Sequence, residues 1–267
     1  MRLRTGVALV MALVLLAVLA PLLAPYGPNV LLDPATLRSA APSLAHPLGT
    51  DPYSRDLLSR ILFGARVSLG IAAMAMLLAI TVGLAVGMAS GWAGGIADTV
   101  LMRMVDIALA IPRLFVVLVV LALWEHVSLL ALALILGGTG WFGISRLVRA
   151  EVRTARALPY VAAARASGAS TVRILTRHVL PNIAGPLIVA AAMGMGQVVL
   201  LEAGLSYLGI GVPQPTASWG SIVADGQNVL RSAPWIAGGA AIAIVITVLA
   251  FTLLGDGVRQ QLDPRKA

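Results

Sequence analysis

The stretch Tyr160-Val161-Ala162-Ala163-Ala164-Arg165-Ala166-Ser167-Gly168-Ala169-Ser170-Thr171-Val172-Arg173-Ile174-Leu175-Thr176-Arg177-His178-Val179-Leu180-Pro181-Asn182 belongs to the most basic interruption in an otherwise apolar carboxy-terminal half. Its alanines predict a helix up to Ser167. Gly168 supplies the permissive backbone for a sharp turn. Ser170 can cap a second short helix, and Pro181 is expected to end it before the next apolar run. The reading is a helix–turn–helix with a small, apolar tip and arginine flanks.

Apolar blocks lie on both sides of this stretch. A helix needs about 20 mostly apolar residues to cross a bilayer. Six blocks approach that length, at 6–24, 67–89, 99–124, 127–145, 183–205 and 235–254. Of the 267 residues, 59% are hydrophobic and 11% charged, and cysteine is absent. An ordinary soluble domain carries about 25% charged residues. This balance excludes disordered, collagen-like, disulfide-scaffold and nucleic-acid-binding classes. The net charge of +8 reflects basic residues placed between apolar blocks, a pattern that orients membrane proteins. The first block follows Met1-Arg2-Leu3-Arg4 and could be a cleaved leader. It is long for that role and ends in Pro21 and Pro25, so we read it as a retained helix.

Alternating six spans place 14 of the 19 Lys and Arg residues on one side. These include the seven arginines of 146–182, and Arg103 and Arg113, read as lying at or near the start of block three. The positive-inside bias makes that side cytoplasmic, together with both termini. The expected fold is an all-α membrane protein with six transmembrane helices. Residues 1–25 form the amino-terminal span. Residues 26–66 form an external loop, with a short surface helix capped by Ser54 and an Asp56–Arg60 pair at i,i+4. A five-helix core occupies 67–255, and 256–267 is a cytoplasmic tail. A second external segment, 206–234, is rich in Gly and Pro, and Trp219 within it and Trp235 at its end suit the membrane interface.

Enzyme chemistry finds little support. There is no GxxxxGK[ST], HExxH or GxSxG pattern. Gly137-Gly138-Thr139-Gly140 lies inside an apolar block and reads as close helix packing. His46, His126 and His178 fall in three separate segments, so neither a metal site nor a cofactor is expected. Met193 and Met195 read as packing rather than a metal relay. Among polar residues in the apolar blocks, Arg103 and Asp106 stand at i,i+3 as a candidate helix pair. Gln197 and Glu202 are candidates for a translocation pathway, against the plainer reading of helix–helix hydrogen bonding.

The 160–182 stretch resembles the EAA-x3-G-x9-I-x-LP loop of the integral-membrane permeases of binding-protein-dependent ABC importers. Ala162, Ala163, Ala164, Gly168, His178, Leu180 and Pro181 fall on that spacing. Ala162 replaces the family glutamate, and His178 takes the isoleucine place. The ending from Arg177 to Asn182 is typical of the dipeptide/oligopeptide/nickel subgroup. Further segments resemble that subgroup in order. They are Leu48-Gly49-Thr50-Asp51 with Arg55-Asp56, Gly64 to Leu69, Met102 to Pro112, Leu205 to Gly220, and Gly255 to Arg265. Ser54 stands where the family usually has glycine.

The resemblance implies a type I importer permease core and the C-type member of a two-permease pair. Ala162, Ala163, Ala164, Arg165, Gly168, His178, Leu180 and Pro181 would dock to an ATPase. The implied partners are a second permease, two ATP-binding subunits and an external solute-binding protein, with membrane lipid around them. The implied cargo is a dipeptide, an oligopeptide or a small solute such as nickel. The main rival is an ion-coupled secondary transporter, which would want paired acids or broken helices in the membrane centre.

Overall fold

A computed structural model describes residues 2–124 and 127–262. Among them every regular element is a helix, apart from an isolated bridge between Thr50 and Asp56. Helix α1 (Arg2–Val18) is followed by a single-turn α2 (Ala20–Leu23), α3 (Leu57–Ala93) and α4 (Gly95–Ala110). Then come α5 (Arg113–Ala122), α6 (Leu129–Gly138) and α7 (Trp141–Arg156). The loop region holds α8 (Pro159–Ala166) and α9 (Thr171–Ile174). A wider π turn at Leu175–Val179 leads into α10 (Leu180–Tyr207), and α11 (Trp219–Gln227) and α12 (Pro234–Leu262) close the chain.

Three uninterrupted helical runs are long and apolar enough to cross a membrane: Leu57–Ala93, Thr171–Tyr207 and Pro234–Leu262. The expected third and fourth spans are bent pairs, with 80° between α4 and α5 and 41° between α6 and α7. Pro112 explains the sharper bend. It has no N–H for the helical ladder and drives the preceding residue out of the α region. Ile111 accordingly has φ −91° and ψ 126°. The sixth apolar helix, α1, packs along α12 and α3. Gly6 and Gly257 permit that closeness, since a Cβ on either would overlap the backbone of the facing helix.

The surface helix expected near 54–62 is the first part of α3. No breaker separates it from the span, and α3 has 37 residues, about 55 Å at helical rise. Its cap is Asp56, which accepts from Ser59 N–H at 2.8 Å. Ser54 instead holds a left-handed turn at φ +63°, which explains why glycine suits that position. The expected Asp56–Arg60 pair does not form. Asp56 accepts from both groups of Ser59 and lies 2.9 Å from His46 Nδ1, whereas Arg60 turns to Asp51 and Asp225.

The second external segment contains α11, started by a capping box between Ser218 and Ser221. Trp219 is 1% exposed and is a core residue, not a membrane-interface anchor. Its indole N–H donates to the Ile61 carbonyl at 3.1 Å.

Two buried apolar clusters organise the helices. The larger joins Leu57, Ile71, Leu132, Val199, Trp219 and Ile236. The smaller joins Met76, Ile144, Val148, Val161, Ile174 and Ile183. The latter lies at the end of the bundle that carries the 160–182 loop. There α3 and α7 pack through Gly83, Gly87 and Gly91, spaced by four residues on one face of α3. A Cβ on any of them would press into α7, as close as 2.6 Å to the Ser145 carbonyl oxygen.

Candidate functional site: the helical loop and the membrane cavity

The 160–182 loop folds as a helix–turn–helix. Gly168 makes the turn at φ +76°. Its N–H donates to the Arg165 carbonyl at 3.0 Å, and Ala169 N–H reaches the Ala164 carbonyl at 3.1 Å. This closes α8 with a left-handed cap. Ser170 caps α9, accepting from Arg173 N–H at 3.4 Å. Val161, Ile174 and Val179 are buried in the smaller cluster, while Ala162, Ala163, Gly168 and Val172 face outward. The loop is thus an apolar knob whose base is part of the bundle core.

Pro181 does not end the second helix. The run from Thr171 continues to Tyr207. The π turn absorbs the proline: Leu180 N–H reaches back to the Leu175 carbonyl, one residue beyond the helical ladder. The second helix of the knob is therefore continuous with α10. His178 lies against Tyr160 with ring centroids 6.4 Å apart. Asn182 Nδ2 donates to the His178 carbonyl at 2.6 Å and to Tyr160 Oη at 3.2 Å. Arg165 stacks over Trp92 at 5.1 Å, and Arg156 donates to the Trp92 carbonyl at 2.6 Å, so these arginines tie the knob region to the end of α3.

Arg149 grips Asp98 with two parallel bonds, Nε to Oδ1 at 2.5 Å and Nη2 to Oδ2 at 2.6 Å. Ser90 Oγ also donates to Asp98. This bidentate pair joins the start of α4 to the far half of α7. The pairing expected between Arg103 and Asp106 is replaced by a looser one. Asp106 faces Arg146 at 3.8 Å, and both are well exposed. Arg146 reaches Asp106 from the antiparallel α7, while Arg103 points outward.

Gln197 and Glu202 separate. Gln197 lines a cavity of about 260 Å³ together with Met76, Arg113, Gly140, Ile144 and Met193. Glu202 is fully buried on another side of α10, accepting from Ser68 Oγ at 2.8 Å and Ser206 Oγ at 2.7 Å. Ser206 Oγ also accepts from Val212 N–H at 3.0 Å. Glu202 therefore ties α3, α10 and the following loop together and offers nothing to the cavity. Met193 lines the cavity, and Met195 packs between the two clusters. Gly137 is a close-packing position, because a Cβ there would lie 2.7 Å from the Ala75 carbonyl oxygen.

Sequence reasoning missed two features. Arg113 does not lie near the start of a span. It follows α4, whose 16 residues rise about 24 Å, and it sits at the α4–α5 bend. The signal was present in Ile111-Pro112. The second is a buried ion cluster on 51–60 and α11. Arg55 donates to Asp51 at 2.5 Å and to Asp225 at 2.9 Å. Arg60 Nη2 donates to Asp225 at 3.1 Å. Arg60 Nε lies 3.3 Å from Asp51, in poor hydrogen-bond geometry. Burial pushes the Asp225 carboxyl above the usual carboxylate range, and Arg60 and Arg55 oppose that shift. Among the described residues no three His, Asp or Glu side chains gather as metal ligands. His126 lies outside the described residues, as does the tail from 263 onward.

The family described as "Binding-protein-dependent transport system inner membrane component" matches residues 79–267. The chain belongs to this family. This permease is 42% identical over 265 residues to a putative peptide transport system permease protein of Brucella suis, covering 98% of the chain and 87% of the relative. It is 40% identical to the dipeptide permease DppC of Escherichia coli, over 97% of the chain and 88% of the relative. It is 35% identical to the oligopeptide permease OppC of Bacillus subtilis, over 97% and 84%.

Among solved structures, a chain of the inward-facing MetNI methionine ABC transporter superposes with a TM-score of 0.58 at 18% identity. That match covers 76% of this chain and 96% of that one, and it establishes the type I importer fold. The two bent spans are a feature that an ion-coupled transporter would share. Family membership decides between the readings: the protein is the membrane permease of a binding-protein-dependent ABC transport system.

Proposed function

We propose that this permease is the C-type subunit of an ATP-driven importer of short peptides. The observation that carries the proposal is the knob itself: an exposed apolar tip, buried at its base, and continuous through the π turn with α10. A groove on an ATP-binding subunit would take Ala162, Ala163, Ala164 and Gly168. Arg165, His178, Leu180 and Pro181 would form its flank and its junction to α10. Closure of two ATP-binding subunits around ATP would then tilt α10 and α7 together, and the cavity between them would open alternately to the two sides. ATP hydrolysis belongs to those partners. The names of the relatives favour peptide over nickel as cargo.

In this reading both termini and the knob are cytoplasmic, in keeping with the charge bias. An external solute-binding protein delivers cargo to the 26–56 segment and to the region around α11. A second, distinct permease completes the pathway, because half a bundle leaves a polar wall toward lipid. Co-expression with the neighbouring permease and ATP-binding subunits tests this assembly. Native mass spectrometry of the solubilised complex should count one copy of this chain. Two copies without a second permease would overturn the heteromeric arrangement.

A further inference from the structure

The cavity is cationic. Arg113 is its only charged lining residue, and Gln197 is the other large polar side chain there. Arg113 Nη2 donates to the Leu136 carbonyl at 2.5 Å and Nε donates to Thr139 Oγ1 at 3.2 Å. Both acceptors are neutral, and among the described residues Nη1 has no hydrogen-bond partner. A charge at this depth is costly and normally faces a polar pathway or a partner. Among the described residues no carboxylate pairs with it.

Three cavities adjoin along this line. The one bearing Gln197 shares Arg113, Gly140 and Gly143 with a second, of about 300 Å³, under the α4–α5 bend. It shares Leu147, Ala190 and Met193 with a third, of about 960 Å³, which contains Asn182 and Arg259. Among the described residues the lining of all three includes arginines at Arg113 and Arg259 and no acidic side chain. Two broken spans also restart beside Arg113, α5 at that residue and α7 just after Gly140. Neither start has a side-chain cap; their first N–H groups lie beside the carbonyl ends of α4 and α6, so the helix ends largely offset one another and the arginines set the sign of the charge. An anion is favoured along this line and a free divalent cation is repelled.

We propose that Arg113 receives the carboxylate of the peptide during translocation. A guanidinium offers the planar, paired donors that a carboxylate takes up. The inference rests on the peptide reading above and adds to it the group on the cargo that the permease itself recognises.

The test uses the complete complex in proteoliposomes, with a labelled dipeptide carrying either a free carboxy terminus or a carboxy-terminal amide. Each is presented on the binding protein at saturating loading. The wild-type complex should carry the free acid faster than the amide. Arg113→Gln should lower uptake of the acid about tenfold or more while changing the amide by less than about twofold. Arg113→Lys should keep most of the preference for the acid. Equal loss of both peptides in Arg113→Gln would make Arg113 only a cap for the end of α6 and overturn the inference. Unchanged acid uptake would overturn it as well. A wild-type complex that hydrolyses ATP but carries neither peptide would instead remove the peptide reading, and the inference with it.

Discussion

Gly168 allows a substitution series in which backbone conformation is separated from packing. Its φ is +76°, and a Cβ placed there meets nothing within 4 Å. A side chain would therefore cost conformational energy without a collision. The left-handed region costs an L residue about 1–2 kcal/mol, with Asn more tolerant and β-branched residues worst. The two hydrogen bonds that close α8, from Gly168 and Ala169, depend on that conformation. If docking needs the closed turn, Gly168→Val should weaken binding of the ATP-binding subunit by about 30-fold, corresponding to about 2 kcal/mol. Gly168→Ala should cost about fivefold, and Gly168→Asn less than about threefold. Binding of purified ATP-binding subunit to the permease pair in nanodiscs measures this directly, with uptake assayed in parallel. Because the turn is exposed, thermal unfolding of the bundle should hardly move. Binding by Gly168→Val equal to wild type would refute the reasoning. An Asn variant as poor as Val would show that the position is selected by partner contact and not by its dihedral angle.

Other expectations follow from the same structure. Single cysteines at Ser167 or Ser170 should react only with reagent that reaches the cytoplasm, whereas cysteines at Ser43 or Gln214 should react from outside; Ser167 labelled from outside would reverse the orientation. Asp225→Asn leaves Arg55 and Arg60 to share the single buried carboxylate of Asp51, and loss of a buried partner costs about 3 kcal/mol, so unfolding in detergent should shift down by about 5 °C or more. Gly87→Leu should separate α3 from α7 and abolish recovery of folded protein, while Gly138→Ala, with nothing within 4 Å of its Cβ, should be recovered normally.

The turn at Gly168 and the cap at Ser170 are legible in the sequence because each depends on local chemistry, a permissive φ and a short hydroxyl side chain. The six apolar blocks are legible because hydropathy averages over a span. That same averaging conceals the bends. Ile111-Pro112 and Thr139-Gly140 are too apolar or too small to interrupt a hydropathy window, yet they break the helices and place Arg113 on the cavity. Gly83, Gly87 and Gly91 vanish into the same average, although their spacing is what brings α7 against α3. Long-range competition explains the ion pairs. Asp56 and Arg60 have the right spacing, but Ser59 and His46 take the acid, and Asp225 on α11, 165 residues away, takes the base. Glu202 likewise has the composition of a pathway residue, and only the packing of α3 against α10 reveals that serines enclose it.

The most direct test of the account is uptake by the purified complex, with this chain, its second permease and the ATP-binding subunits in sealed proteoliposomes. A labelled dipeptide is supplied on the binding protein, and ATP is present or absent on the side that bears the knob. The account predicts accumulation that requires both ATP and the binding protein, and that Gly168→Val suppresses. Accumulation driven by a proton or sodium gradient without ATP, and indifferent to that substitution, would contradict it.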